Sequence, residues 1–467
     1  MSTAELISNW KHHIEHGSGP IYLSIIDALA DSIRRGLLHE GDRLPPQRQL
    51  AAALGTDLTT VTRAFSEARR RGLIEATVGR GTFVKVGATE TRWRHTGRAI
   101  VDLTMNLPPI PEEPALGQLI QADMTYLLRK QELSGLLSYR VTGGSTEERR
   151  LAARWMEPLL GQRNEDEVLV VPGAQAAIAA VVSTLTTPGD TIITDRFTYP
   201  GIRSAAAQFH LMLKGIDSDL EGMVPDQFDQ ACRRHRPQLI YCMPTIQNPS
   251  TATMSPERRE AILAIARAHQ IPILEDDPYG LLLRDGLPAM ARLDPAHVFY
   301  VSTLAKVLSP GLRQAFLVVP GVDMAHRMSS AIRALSLTNS GLMTSLVARW
   351  MQNGSAASIL AAIQTELRAR QKIARDILGN GHCMHPDGPH VWLRLPDWWG
   401  SVDFVSYARR QGLALVPSNV FTVEGEPPQR ARIALGSATS RESLAVSLRG
   451  VSDLLRHKRS PGFDDIV

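Results

Sequence analysis

Apolar and polar positions follow two different rhythms along the chain. Over the first 90 residues the apolar positions recur in short helical bursts. Tyr22, Ile25, Ile26, Leu29 and Ile33 predict a first helix that Gly36 ends. Pro45 and Pro46 open a second over residues 45–54, stopped at Gly55, because proline is tolerated in a first turn and glycine at a C-terminus. A third runs from about 58 to 71, with Val61, Ala64, Phe65 and Ala68 on its inner face. Residues 73–78 and 82–84 are β-prone and flank Gly79-Arg80-Gly81, which predicts a hairpin with a basic tip. Three helices followed by a hairpin predict a winged helix-turn-helix.

The rhythm changes after residue 113. Strand-like apolar runs at 168–171, 191–194, 239–243, 271–274, 298–302 and 315–319 alternate with helical patterns. That alternation predicts an α/β domain with a largely parallel central sheet, whose ligands sit at the carboxyl ends of its strands. Between the two regions periodicity is weak, and Leu107-Pro108-Pro109-Ile110-Pro111 is proline-rich. The expected organisation is a DNA-binding head over 1–88, a linker over 89–113 and a large domain over 114–467, with residues 102–109 as candidates to line the larger domain's site.

Composition narrows the setting. A chain of 467 residues exceeds one ordinary core, and no apolar run approaches the ~20 residues of a membrane span. The first residues carry Trp10, Lys11, His12, His13 and Glu15 and lack an apolar secretory core, so a cytoplasmic protein with no membrane partner is expected. Cys232, Cys242 and Cys383 are odd in number and far apart, which fits reduced thiols and neither a disulfide framework nor a metal site. The net charge of +4 is modest, but its distribution is not even. From Arg43 to Lys85 eight basic residues face only Asp57, Glu67 and Glu75, an excess of five that suits a phosphate backbone. On the third predicted helix Thr59, Thr60, Thr62 and Arg63 fall on the exposed side near the N-terminal end, the part of a recognition helix that reaches base edges.

The candidate chemistry of the large domain lies at predicted strand ends. Lys306 follows Ser302-Thr303-Leu304-Ala305 and precedes Ser309-Pro310-Gly311-Leu312-Arg313. Asp276 and Tyr279 follow the apolar Ile273-Leu274. An amine to condense with an aldehyde, a carboxylate to keep a pyridine nitrogen protonated and a phenol for a ring oxygen are the groups that hold pyridoxal 5'-phosphate (PLP). A carboxylate so placed titrates upward unless a cation balances it. Pro172-Gly173-Ala174-Gln175 carries a strand through a glycine into a helix, leaving free amides for a phosphate. Asn248-Pro249 ends another apolar run, and Tyr199 offers an aromatic face after Asp195.

Two family resemblances rest on these residues. Gly41-Asp42-Arg43-Leu44-Pro45-Pro46-Gln47-Arg48-Gln49-Leu50-Ala51, then Val61-Thr62-Arg63-Ala64-Phe65, then Gly79-Arg80-Gly81-Thr82-Phe83-Val84 resemble the GntR-type winged helix. The resemblance implies that double-stranded DNA is met by Arg43, Arg48, Thr59, Thr60, Arg63 and the wing at Gly79, Arg80, Gly81 and Thr82. In the same way Tyr139-Arg140-Val141-Thr142-Gly143-Gly144, Gly173-Ala174-Gln175, Thr198-Tyr199-Pro200-Gly201, Asn248-Pro249, Asp276 to Tyr279, Lys306 to Arg313 and Arg432 resemble the aspartate aminotransferase fold, fold type I of PLP enzymes.

Carried over, Lys306 would form the internal aldimine, Asp276 would pair the pyridinium nitrogen, and Asn248 and Tyr279 would hold the ring oxygen. Ala174, Gln175, Thr303 and Arg313 would bind the phosphate, and Tyr199 would stack on the ring. Tyr139 would reach the phosphate of the neighbouring subunit of a homodimer. Arg432, with Arg430 two residues earlier as the alternative, would take a substrate or effector carboxylate. Leu304-Ala305-Lys306 and Ser250-Thr251 depart from the common pattern without removing a PLP ligand. Together the two halves resemble the MocR subfamily of transcription regulators, which implies a PLP-dependent DNA-binding regulator sensing PLP or an amino compound through Lys306. The alternative is a working aminotransferase of the 2-aminoadipate or aromatic type with an accessory DNA-binding head.

Overall fold

The computed structural model describes residues 10, 21–34, 37–38, 41–70, 73–77, 81–84, 100–130 and 133–457. The chain divides into two compact units, Met1–Gly97 and Arg98–Val467.

In the smaller unit the helices Ile21–Arg34, Gln47–Leu54 and Leu58–Arg70 enclose a core of Ile25, Ile26, Leu29, Leu50, Val61 and Phe65. The second helix begins after Pro46 and ends on Gly55 in the left-handed conformation, as the proline and glycine spacing requires. The strands Ile74–Thr77 and Gly81–Val84 pair antiparallel, with Ile74 opposite Val84. This is the expected winged helix-turn-helix.

The larger unit is built on a seven-stranded sheet. Its strands lie in the order Val168–Val171, Ala315–Val318, Val298–Thr303, Ile273–Asp276, Leu239–Cys242, Thr191–Asp195 and Met212–Ile216. Every neighbouring pair is parallel except those made by Ala315–Val318, which runs against both of its neighbours. The central strands are buried along their length, so their sequences read as continuous apolar runs without alternation. A second sheet of four strands, Cys383–Met384, His390–Arg394, Arg430–Ala434 and Val416–Pro417, packs with the helices Ser401–Arg410 and Arg441–Arg456 around its own core, which includes Trp399, Phe404, Ile433 and Leu448.

Two expectations are corrected. The strand placed at 271–274 runs over Ile273–Asp276, so Asp276 is its last residue and lies inside the sheet. The stretch assigned to a linker up to residue 113 is, from residue 100 onward, part of the large unit. Val101–Asp102 pairs parallel with Leu413–Ala414, and Leu103 exchanges backbone hydrogen bonds with Ala414 and Ala434. Its prolines hid this role, because an extended segment held by backbone pairing has no apolar period. Among the described residues no helix is long and apolar enough to cross a membrane. No group of side chains there could hold a metal ion, and all three cysteines are free.

Candidate functional site

The carboxyl ends of the central strands gather most of the residues singled out from the sequence. Strand alternation decides among the three consecutive acids Glu275, Asp276 and Asp277. Glu275 accepts from the backbone amides of Met290 (3.0 Å) and Ala291 (2.9 Å), and Asp277 accepts from Tyr300 Oη (2.9 Å) and the Gly280 amide (2.7 Å). Asp276 alone turns to the face where Lys306 lies, and its Oδ2 accepts from Tyr241 Oη at 2.6 Å. Burial pushes the Asp276 carboxyl up to about 7, opposed by the Tyr241 hydrogen bond and the Lys306 charge. Such a carboxylate is short of a cation.

Lys306 sits in the turn that follows Val298–Thr303, a turn tied by the Leu308 amide to the Leu304 carbonyl (2.9 Å) and by Thr303 Oγ1, which accepts from the Ala305 amide (3.2 Å). Its Nζ donates to the backbone carbonyl of Asn106 at 2.5 Å. Desolvation first, then the Arg432 cation, lowers the Lys306 ammonium to about 8. The neutral, nucleophilic amine is therefore a minor form near neutral pH, but a far larger share than for an ordinary lysine.

Arg432 projects from Arg430–Ala434 and is buried. Its guanidinium donates to Asn248 Oδ1 (2.9 Å) and to the Thr104 carbonyl, and lies over the Phe421 ring with its carbon 5.0 Å from the centroid. No carboxylate pairs with it among the described residues, its Nε is buried without a partner, and burial lowers it to about 10. Arg430 instead donates to Cys383 Sγ (3.3 Å) and the Trp392 carbonyl (3.5 Å), which assigns the inward position to Arg432.

The phosphate-binding candidates meet at the turn before the helix Ala174–Leu185. Gly173 caps that helix at φ 100° with no side-chain cap, and a Cβ there would stand 3.2 Å from an Arg313 nitrogen. The first-turn amides of Ala174 and Gln175 have no place in the helical ladder, so the turn presents both N–H groups and a guanidinium. The Gln175 side chain is spent elsewhere, donating to the Gly201 carbonyl (2.9 Å). Tyr199 is held near Asp276, Arg432 and Arg313, and burial followed by the Asp276 charge raises its phenol. Tyr139 is 82% exposed and stands apart from this cluster within one chain.

Two members, Tyr241 and His390, were not foreseen, and Thr104 and Asn106 fall within the candidate stretch 102–109 without being singled out. Asn106, Thr104, Tyr241 and His390 are buried or half-buried contributors that no motif marked. Asn106 Nδ2 donates to Tyr279 Oη (3.0 Å) and lies 3.2 Å from His390 Nδ1. Tyr241 could have been found as a polar group inside the apolar run Leu239-Ile240-Tyr241-Cys242, since a buried phenol needs a partner.

These residues fit PLP. Among the described residues the buried acid has a phenol and no cation hydrogen-bonded to it, the uncapped turn carries donors for a phosphate, and Asn106 Oδ1 and Arg432 Nε are buried polar atoms left without partners. Residues 99–450 match the family Aminotransferase class I and II. The chain belongs to that family. Residues 21–84 of this aminotransferase-family chain match Bacterial regulatory proteins, gntR family, so a GntR-type head and an aminotransferase domain share one polypeptide, the MocR arrangement. The chain is 29% identical over 457 residues to the uncharacterized HTH-type transcriptional regulator YdeF of Bacillus subtilis, covering 96% of this chain and 97% of that protein. It is 27% identical over 485 residues to the HTH-type transcriptional regulator TauR of Rhodobacter capsulatus, covering 95% and 97%. Among solved structures, an archaeal alanine:glyoxylate aminotransferase superposes with a TM-score of 0.71 at 22% identity, over 77% of this chain and 91% of that one. LysN, the alpha-aminoadipate aminotransferase of Thermus thermophilus, does so at 0.70 and 24%, over 76% and 92%. At these identities the superpositions show a shared fold.

In the GntR-type head, Arg43, Arg48, Thr59 and Arg63 are exposed. The Thr59 and Thr60 hydroxyls donate to Asp57 (2.6 and 3.3 Å), fixing the entry to Leu58–Arg70, and Thr62 donates to Gln47 (3.0 Å). The Arg63 guanidinium lies 4.1 Å from the centre of the Tyr22 ring. Arg43 runs beside Gly81, where a Cβ would meet its Nε at 2.9 Å, so the loop arginine and the wing share one surface with Thr82. Gly79 and Arg80 lie outside the described residues.

Proposed function

We propose that this protein is a DNA-binding transcription regulator of the GntR and MocR type, whose large unit holds PLP at Lys306 and senses an amino compound bearing a carboxylate. The observation that carries this reading is the joint presence, in one chain, of a GntR-type head and of Lys306, Asp276, Asn248, Tyr279 and Arg432 around one buried site. When bound, PLP supplies an aldehyde that condenses with primary amines and a ring that withdraws electrons.

Each residue then has a task. Asp276, short of a cation, holds a protonated pyridine nitrogen, and Tyr241 fixes the carboxylate in place. Lys306, whose ammonium gives up its proton more easily than an ordinary lysine's, would offer its amine to the aldehyde. Asn248 and Tyr279 would take the ring oxygen, Tyr199 would lie against the ring, and the Gly173 turn with Ala174, Gln175, Thr303 and Arg313 would take the phosphate. Arg432 is a buried cation that pairs with no carboxylate among the described residues, so an effector carboxylate offers it a stronger, charge-assisted partner than the Thr104 carbonyl does. Replacing that carbonyl alters the hold on residues 104–106, which lie in sequence between the head and the sheet. If the resulting state has a different DNA affinity, linkage makes DNA binding respond to the effector.

A homodimer completes the reading. Leu137, Tyr139 and Val141 are all exposed in the single chain, and a second copy covering them brings Tyr139 to the neighbouring phosphate. The test compares wild type with Lys306→Ala. Wild type is expected to show the visible absorbance of protein-bound PLP, Lys306→Ala to lose it, and both to bind DNA. A wild-type chain without that absorbance contradicts the cofactor assignment. Sustained transamination of many amino acids by wild type contradicts the sensor reading and favours the aminotransferase alternative.

A further inference from the structure

His390 is a fully buried imidazole without a task among the residues that would touch the cofactor. It opens the strand His390–Arg394, and its ring centroid lies 6.0 Å from that of Tyr279. Asn106, also buried, stands between them. The same Asn106 Nδ2 is 3.0 Å from Tyr279 Oη and 3.2 Å from His390 Nδ1.

An amide nitrogen only donates, so both partners must accept. Nδ1 can accept only if the ring is neutral with its proton on Nε2. The surroundings keep it neutral: burial first and then the Arg432 charge, with Lys306 adding to them, hold His390 down to about 3 against the opposing pull of the Gln247 and Pro249 backbone. In that tautomer the bare Nδ1 and the Asn106 amide hold each other, while Nε2 is buried without a hydrogen-bond partner among the described residues. Turning Asn106 over would set its Oδ1 lone pair against the Nδ1 lone pair, an unmade bond in a buried site. With Nδ2 held toward Tyr279, the phenol oxygen accepts from Asn106 and must aim its own proton elsewhere. Among the described residues no group receives that proton.

We propose that His390 and Asn106 are positioning residues that keep the Tyr279 hydroxyl a donor, aimed at the ring oxygen of bound PLP. The inference rests on the PLP reading above. A donor to that oxygen stabilises its deprotonated form, so it lowers the pH midpoint at which the visible band of the bound cofactor changes.

The full-length, PLP-loaded protein is titrated by visible absorbance. Tyr279→Phe is expected to raise the midpoint. His390→Phe is expected to raise it in the same direction by roughly half to one pH unit, the size of one neutral hydrogen bond. His390→Gln, whose side-chain carbonyl can accept from Asn106, moves it back toward wild type. In the Tyr279→Phe background His390→Phe adds nothing, because its route is gone. An unmoved midpoint in His390→Phe, or an equal shift in both backgrounds, overturns the proposal. Should His390→Phe fail to fold by circular dichroism, Asn106→Leu is read in its place with the same expectations. A wild type that shows the band while both variants titrate unchanged rejects only the positioning role. A wild type without the band rejects the PLP reading and this inference with it.

Discussion

At the scale of single residues the site is a set of charges that the fold has left uncompensated. Asp276 is a carboxyl raised to about 7 and Lys306 an ammonium lowered to about 8, both principally by burial. A carboxyl raised in the folded state contributes stability that is complete below its unfolded value near 3.8 and is lost as pH rises through about 7. Asp276→Asn removes that loss. The PLP-free variant is therefore expected to be more stable than PLP-free wild type at pH 8, by roughly 1–4 kcal/mol, with the difference closing toward pH 4. The same change removes the partner of the pyridine nitrogen, so affinity for PLP falls. Thermal unfolding across pH and absorbance titration read the two effects, and equal stability at pH 8 would contradict the account of Asp276 as an acid waiting for a cation.

At the scale of elements, what could be read from sequence depended on whether a residue's role had a local signature. The helix stop at Gly55, the glycine turn at Gly173 and the proline-flanked Lys306 segment each announce themselves through backbone chemistry, while the stop expected at Gly36 lies outside the described residues. Asp276 stands out as a buried acid even though its strand runs two residues later than the apolar run predicts, because an acid at the end of an apolar run is visible whatever the register. Asn106 and Thr104 lie in the stretch 102–109 expected near the site, but nothing local singled them out or showed what they contact. Their contacts, across 200 and 328 residues of sequence, come from an extended segment pinned by Leu413–Ala414 and the end of Arg430–Ala434. His390 was equally hidden, since a histidine in an apolar strand is ordinarily core. Gly436 shows how closely that segment packs: a Cβ there would run into the Leu107 carbonyl. Gly436→Ala is expected to displace residues 104–109 and lower affinity for PLP and for amino compounds about tenfold or more, with DNA affinity of the cofactor-free protein unchanged. Unaltered ligand titrations in this variant would show that the segment's position does not matter to the site.

At the scale of the whole molecule two compact units carry separable chemistries, a basic GntR-type head in one and an aminotransferase-family domain, proposed to hold PLP, in the other. Removing a phosphate contact from the head weakens binding across sequences and lowers the salt slope. Arg48→Ala is expected to reduce DNA affinity and to flatten the dependence of log affinity on log salt by about 0.9, leaving the visible absorbance of bound PLP intact. Unchanged affinity and salt slope would misplace the recognition surface. The central claim is that occupancy at Lys306 speaks to the head. Its most direct measurement is the affinity of the PLP-loaded chain for a DNA fragment selected from a random pool, with and without a mixture of amino acids. The expected result is a change of about fivefold or more in wild type, consistent with an allosteric coupling of about 1 kcal/mol, and none in Lys306→Ala. Identical affinities with and without amino compounds in wild type, while the visible spectrum shows that they enter the site, would contradict it.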